Sequence, residues 1–262
     1  MQEINLDEIH SILLDIMVDV DSFCRREGLK YTLAFGTLLG AVRHKGFIPW
    51  DDDVDIFMPR PDFEKFVNSF NGESGSKYRC LYGSRKPDEY FVNGFAKVHD
   101  PGTVKEFNAK KTRFHYGVSV DIFPLDAAPE DPTECHEFMH EAVHACRLLF
   151  CRSKKFPYGS PLLMVSSHIH SLDWWWKKNR AIAQRYDYDG SRTLAVLFGS
   201  TSYRCVFDKD YICDVCDISF EGHEFMAVKD TDRFLTHEYG PDYMTPPPEN
   251  MRYGHRNRMF KL

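Results

Sequence analysis

Residues 36–57 read GTLLGAVRHKGFIPWDDDVDIF, and the reading of this stretch decides the fold. A glycine-threonine pair opens it, the basic run Arg43-His44-Lys45 follows, and four aspartates, Asp51, Asp52, Asp53 and Asp55, crowd its end. A stable core has no use for so much like charge, and carboxylates this close repel one another unless a cation neutralises them. Asp53 and Asp55 flank Val54, so on a strand their carboxylates share one face while Val54 enters the opposite layer. A hard divalent ion such as Mg2+ prefers carboxylate oxygens together with substrate phosphates. The bland alternative, an acidic surface turn, stays open for a bare DxD.

Outward from this stretch, Leu6, Ile9, Leu13, Ile16, Val20 and Phe23 recur at three- and four-residue steps. The spacing predicts a helix over 5–27 ended by Gly28. A strand is expected over 30–34 with Tyr31, Leu33 and Phe35 on one face. Gly36-Thr37 then turns the chain into a short helix over 38–42, at whose N-terminus backbone N–H groups can receive a phosphate. After a loop over 43–50, a strand over 54–58 is stopped by Pro59 and Pro61, and a helix follows over 62–70. Strands are predicted over 78–82, 91–98, 103–107 and 116–123. In the last of these Val118, Val120 and Ile122 lie on one face and Ser119, Asp121 and Phe123 on the other. Two strands thus each end in an aspartate-bearing segment followed by proline.

Pro129 to Pro132 marks a boundary. Beyond it helices are expected over 133–151 and within 160–187, strand-like segments from Leu194, a short helix over 231–239 and a Pro-rich basic tail. The whole reads as an α+β chain: a catalytic core over 1–128, a helical insertion over 129–200, and a segment over 201–262 that packs back on the core.

With 262 residues, 43% hydrophobic and 27% charged, the chain can bury a real core. A net charge of −6 argues against a nucleic-acid binder, which would need clustered Lys and Arg. The N-terminus carries acidic residues where a secretion signal would be basic, and no run of about eighteen apolar residues suggests a spanning helix. Eight scattered cysteines favour reduced thiols. These features place the chain in the cytoplasm, where peripheral contact with the inner membrane face is compatible with them.

Asp121 offers a third carboxylate on a separate strand, and its context DIFPLD echoes DVDIF. A glycine turn, a DxD and a distant single aspartate make the layout of metal-dependent phosphoryl or nucleotidyl transfer. Arg43, His44 and Lys97 are candidates to neutralise phosphate charge; for each, a solvated surface role is the competing reading.

The run FGTLLGAVRHKGFIPWDDDVDIFMPR, with VDIFPLD and the later FEG and YGPDYMTPP segments, resembles the LicD family of phosphotransferases, which also resembles fukutin and fukutin-related protein. The resemblance covers about 31–126 and 219–255. It implies a nucleotidyltransferase-like fold of the polymerase beta type, with a mixed sheet bearing the acidic residues and helices flanking it. It also implies transfer of a phosphorylated alcohol, typically phosphocholine from CDP-choline, to a hydroxyl of a cell-surface glycan such as lipopolysaccharide or teichoic acid. Carried over by position, Gly36 and Thr37 match the glycine turn. Asp53 and Asp55 match the pair that holds Mg2+, or Mn2+ in its place, and Asp121 the third carboxylate. Asp51 takes the outer acidic position, and His255 matches a late histidine. The path of the 43–50 loop is left open, because the spacing from Thr37 to Asp53 exceeds the usual nucleotidyltransferase signature.

Two other patterns compete. HEFMHEAVH at 136–144 holds two overlapping HExxH matches, in which paired histidines would bind zinc and Glu137 would activate water. Yet His136, His140 and His144 fall opposite the apolar stripe, as on a solvent-facing surface. Cys213-x-x-Cys216 lacks the second half of a zinc site. Tyr239, Tyr243 and Tyr253 could cage a quaternary ammonium, and Trp174 to Trp176 are expected to pack. The readings left standing are the transferase, a zinc peptidase, and a catalytically dead binding module on the same fold.

Overall fold

A computed structural model describes residues 2–106, 114–153, 160–198, 205–252 and 258–262. After the two-residue strand β1 (Gln2–Glu3), helix α1 (Leu6–Glu27) begins at an Asn5–Glu8 capping box and ends at Gly28, whose φ of +65° suits glycine. Its apolar stripe of Leu13, Ile16, Val20 and Phe23 is fully buried. Strand β2 (Thr32–Leu33) is shorter than the sequence suggests, because Phe35 already belongs to α2 (Phe35–Arg43). Gly36 and Thr37 therefore lie inside the first turn of that helix and do not precede it.

Strand β3 (Val54–Pro59) leads into α3 (Arg60–Glu73), with proline in the first turn. Next come β4 (Arg79–Leu81), β5 (Ala96–His99), β6 (Thr103–Lys105) and β7 (Ser119–Ala128). The segment at 91–95, expected as strand, makes only an isolated bridge from Phe91 to Ser84. β7 runs on past Pro124, the expected stop. The missing N–H is tolerated there because pairing with β5 has ended at Ile122 and pairing with β8 begins at Asp126.

The 129–200 stretch supplies α4 (Pro132–Ser153), α5 (Pro161–His168), α6 (Leu172–Ala183) and strand β8 (Thr193–Ala195). The chain then forms β9 (Val206–Asp208), α7 (Lys209–Ile212), the hairpin β10 (Val215–Phe220) and β11 (His223–Val228), α8 (Thr231–Tyr239) and β12 (Met259–Lys261).

The main sheet has the order β2-β3-β7-β5-β4, with β8 and β9 added along the far half of β7. β3 and β7 run parallel and their other neighbours antiparallel. This mixed sheet with flanking helices is the α+β, nucleotidyltransferase-like architecture expected from the sequence. β6 leaves it, however, and pairs with β12 in a small sheet β1-β12-β6 that ties the two chain ends together. Val54, Ile56, Val120 and Ile122 are wholly buried beneath α1 and α3 in the largest apolar cluster. A second cluster joins α4 and α6 to Ala128, Ala195 and Leu197. A third gathers Phe91, Tyr116, Leu149 and Trp175, so the second tryptophan of the triplet packs, while Trp174 stays 41% exposed.

Candidate active site

Helix α2 opens the site. Its first helical hydrogen bond runs from Leu38 N–H to Ala34 O at 3.1 Å, so the N–H groups of Phe35, Gly36 and Thr37 have no partner within the helix itself. Phe35 holds φ +43°, a strained value for a bulky residue. Its ring is locked edge-on against Phe57 at 4.9 Å and Phe123 at 6.0 Å. A Cβ on Gly36 would come within 2.8 Å of Asp51 Oδ2, so glycine admits the Asp51 carboxyl to the helix end. The Thr37 hydroxyl accepts the Asp55 N–H at 2.9 Å and so pins the start of β3 to α2.

β3 begins at Val54, which makes Asp53 the last residue of the entering loop, with Asp51 and Asp52 before it. Asp55 is the register partner of Asp121 across β3–β7, and Asp121 is the partner of Lys97 across β5–β7. Three neighbouring strands thus carry Asp55, Asp121 and Lys97 in one row. The Lys97 ammonium is held by Asp121 Oδ1. It sits over the rings of Tyr116, Phe95 and Phe91 at 4.7, 5.4 and 5.8 Å. In this conformation it neutralises a carboxylate, and the aromatic cage beside the site holds a lysine.

Burial pushes the Asp55 carboxyl well above the usual range, and the charges of Asp53 and Asp121 push it further. Burial also raises Asp121, with Lys97 drawing it partway back. Burial alone would lower Lys97, but Asp121 outweighs it and the ammonium is held charged. Among the described residues no three His, Cys, Asp or Glu side chains gather as a closed metal-holding group, the aspartates included. Mg2+ usually takes one or two carboxylates and completes its octahedron with water and substrate phosphate, so Asp53 and Asp55 are the side chains here that could hold it.

Arg43 and His44 end α2, roughly 10 Å along the axis from Gly36 at 1.5 Å per residue. The Arg43 Nη1 donates to Tyr243 O at 2.9 Å. Burial lowers both side chains, and for His44 the charges of Arg43 and Arg252 add to this. Arg252 lies 4.9 Å over Trp50, so the Pro-rich tail and the 43–50 loop meet in a basic, aromatic ledge. His255 and Tyr253 lie outside the described residues.

The route of the 43–50 loop, unreadable from sequence, is fixed by the β10–β11 turn. Glu221 and Gly222 both have positive φ, +50° and +77°, as a two-residue hairpin turn of type I′ requires. Glutamate is a poor residue for that position. Its carboxylate accepts the Phe47 N–H at 2.9 Å, and its own N–H donates to Lys45 O at 2.9 Å. Sequence reading also missed Lys105 on β6, a half-buried ammonium lowered by burial and by Lys97 but supported by Asp121, Asp52 and Asp53. Tyr239 on α8 was read only as part of a tyrosine cage. Burial first, then Glu238, Asp55, Asp51 and Asp53, raise its phenol, which places it in the field of the aspartates.

The competing patterns fall elsewhere. His136, His140 and His144 are exposed along α4, and Glu141 is bonded by Arg185 at 2.7 Å. Cys213 lies 3.7 Å from the Tyr188 hydroxyl, while Cys216 is exposed on β10. Neither pattern forms a metal group among the described residues.

A helix N-terminus set against aspartates carried on two adjacent parallel strands defines a nucleotidyltransferase-like protein. The chain belongs to the LicD/FKTN/FKRP family, whose nucleotidyltransferase domain matches residues 28–160. It is 29% identical over 265 residues to the lipopolysaccharide cholinephosphotransferase LicD of Haemophilus influenzae, an alignment that covers 97% of each chain. An uncharacterized protein of Rickettsia typhi is 46% identical over 61 residues, 22% of this chain and 20% of that one.

Proposed function

We propose that this protein transfers a phosphorylated alcohol, phosphocholine from CDP-choline in the first instance, to a hydroxyl of a cell-surface glycan or its precursor. The observation that carries this is the in-register row of Asp55, Asp121 and Lys97 beside the α2 N-terminus. The end-to-end similarity to a cholinephosphotransferase supports the choice of group. Asp53 and Asp55 would hold Mg2+, or Mn2+ in its place. The ion supplies neutralisation of the donor's diphosphate and polarisation of its phosphorus.

The acceptor oxygen attacks the phosphorus that bears choline, the bond to the CMP oxygen breaks, and CMP leaves with the electron pair. Asp121 completes the acidic set. Because Lys97 occupies its Oδ1, Oδ2 is the atom to accept the hydroxyl proton, and burial brings that carboxyl closer to working pH. The first-turn N–H groups of α2 take a phosphate oxygen, while Lys105, Arg43 and His44 offset the remaining negative charge. A CDP carrier places the reaction in the cytoplasm.

The test is CMP release from CDP-choline with Mg2+ and a lipopolysaccharide acceptor. Release by the wild type and its loss in Asp53→Asn, with an unchanged circular dichroism spectrum, support the reading. Turnover that survives the substitution would overturn it. CDP-ribitol, CDP-glycerol and CDP-ethanolamine, run in parallel, tell whether the alcohol rather than the chemistry has been misassigned.

A further inference from the structure

Helix α5, PLLMVSSH, has the composition of a buried helix, yet of its eight residues only Ser167 is buried. Leu162 is 76% exposed, Val165 67%, and Ile169, just past its end, 68%. Positions 162, 165 and 169 are three and four apart, so the three side chains lie along one side of the helix. Trp174 at the start of α6 stacks on His170 at 3.7 Å and extends the strip. Single exposed apolar residues need no explanation, but a run of them marks a surface that meets something.

The surrounding charge says what. In sequence, residues 152–180 hold Arg152, Lys154, Lys155, Lys177, Lys178 and Arg180 against the single acid Asp173, in a chain whose net charge is −6. Asp173 is itself bonded by Arg85, while Glu64 engages Arg180 and Glu141 approaches Lys178 at 3.8 Å. A second copy docking on this strip by twofold symmetry would set like charge against like. An anionic lipid surface attracts the same residues, and an exposed tryptophan beside Leu, Val and Ile is the composition of a helix lying in a membrane interface.

We propose that α5 and the start of α6 form a docking surface for an anionic phospholipid membrane. Leu162, Val165, Ile169 and Trp174 enter the headgroup boundary, and the exposed Lys177 and Lys178, one turn along α6 from Trp174, face the lipid phosphates. The inner side of this corner belongs to the cluster of Trp175, Leu149, Phe91 and Tyr116, and the last two ring Lys97. The surface rests on the exposed strip and its charge, independently of the transfer chemistry.

The test is flotation of the full-length protein with vesicles of equimolar phosphatidylcholine and phosphatidylglycerol, against vesicles of phosphatidylcholine alone. The wild type is expected to float with the anionic vesicles, with binding weakened by salt. The triple variant Leu162→Glu/Val165→Glu/Ile169→Glu is expected to lose about tenfold or more in partitioning. Met251→Glu, at an exposed apolar position away from the strip, is expected to keep it. Trp174→Phe should remove the blue shift of tryptophan emission seen on vesicle binding. Equal flotation with both vesicle types, or an unaffected triple variant that still folds by circular dichroism, would overturn the proposal. So would a dimer in sedimentation velocity that the triple substitution dissolves.

Discussion

Asp55 and Asp121 are register partners across the parallel β3–β7 pair of the main sheet, so two carboxylates are fixed on strands roughly 4.8 Å apart with the buried Lys97 ammonium beside them. The backbone ladder enforces this closeness, and the side chains cannot relax it. A site built this way strains the fold by itself, and on the proposed reading a bound cation would relieve it.

The first consequence concerns Asp55. Its carboxyl titrates well above its unfolded value because of burial and then of Asp53 and Asp121. Above the ordinary carboxylate range the folded chain still holds a proton that the unfolded chain has released, so metal-free protein loses stability as the pH rises. Asp55→Asn removes this cost. Its thermal midpoint in EDTA at pH 7 should exceed the wild type's, at about 2–4 °C per kcal/mol for a chain of this size, while transfer falls a hundredfold or more. Mg2+ should raise the midpoint of the wild type and leave that of the variant nearly unchanged, both read by calorimetry.

Lys97 yields the opposite sign. Removing it in Lys97→Met leaves Asp121 buried beside Asp55 with no ammonium, a loss of about 3–5 kcal/mol by analogy with broken buried pairs. The double variant Lys97→Met/Asp121→Asn should recover most of that stability without recovering activity. Urea denaturation in EDTA checks the first, and CMP release the second. A lysine that served only to touch substrate phosphate would show no such coupling.

The 43–50 loop carries the chain from the α2 C-terminus back to Asp51, and contacts with the β10–β11 turn and with α2 hold it. Glu221 accepts the Phe47 N–H, and Gly40 lets Gly46 O approach to where a Cβ would lie 2.5 Å away. Glu221→Ala should free the loop, raising the KM for the CDP donor about tenfold with a smaller effect on kcat, since misplacement of groups far from the chemistry is costly. Gly40→Ala meets backbone that cannot swing aside and should shift the loop more. Limited proteolysis within 43–50 compares the two with the wild type.

Much of this was legible because it is local. The periodicity of α1 and α4, the DxD spacing and the alternation around Asp121 are properties of adjacent residues, and each produced its element within a few positions. What could not be read is non-local. β6 looks like any strand of the main sheet, yet it pairs with β12, more than 150 residues away, because the chain ends meet there. Asp121 and Asp126 stand five apart on β7, each between two apolar residues, but an odd offset puts them on opposite faces. Asp126 is wholly buried in a bidentate pair with Arg60 at 2.5 and 2.8 Å, and is structural. Lys97 reads as a candidate partner for substrate phosphate, and its pairing with Asp121 emerges only when β5 is set beside β7. Glu221 stands in the sequence only as part of the FEG segment, and its hold on the Phe47 N–H emerges once the β10–β11 turn is set beside the 43–50 loop.

A last consequence follows from His99, which neighbours the row without joining it. Its Nδ1 accepts the Gly117 N–H at 3.2 Å, so the proton sits on Nε2, a buried donor with no partner among the described residues. Burial lowers the imidazole to about 4, despite the pull of Glu89 and Asp100. Below its ordinary value near 6.5 the unfolded chain takes up a proton that the folded chain refuses. Stability contributed at neutral pH is therefore lost as the pH falls from 6.5 towards 4, to a limit of about 3 kcal/mol at 1.36 kcal/mol per unit. Glutamine can still accept from Gly117 but does not titrate. His99→Gln should start less stable at pH 7, and the gap to the wild type should narrow as the pH approaches 4. The carboxylates that titrate in the same window are common to both proteins, so the difference between their urea midpoints isolates the histidine. A gap independent of pH would show that His99 is already charged in the fold, which its burial and its bond to an N–H donor both oppose.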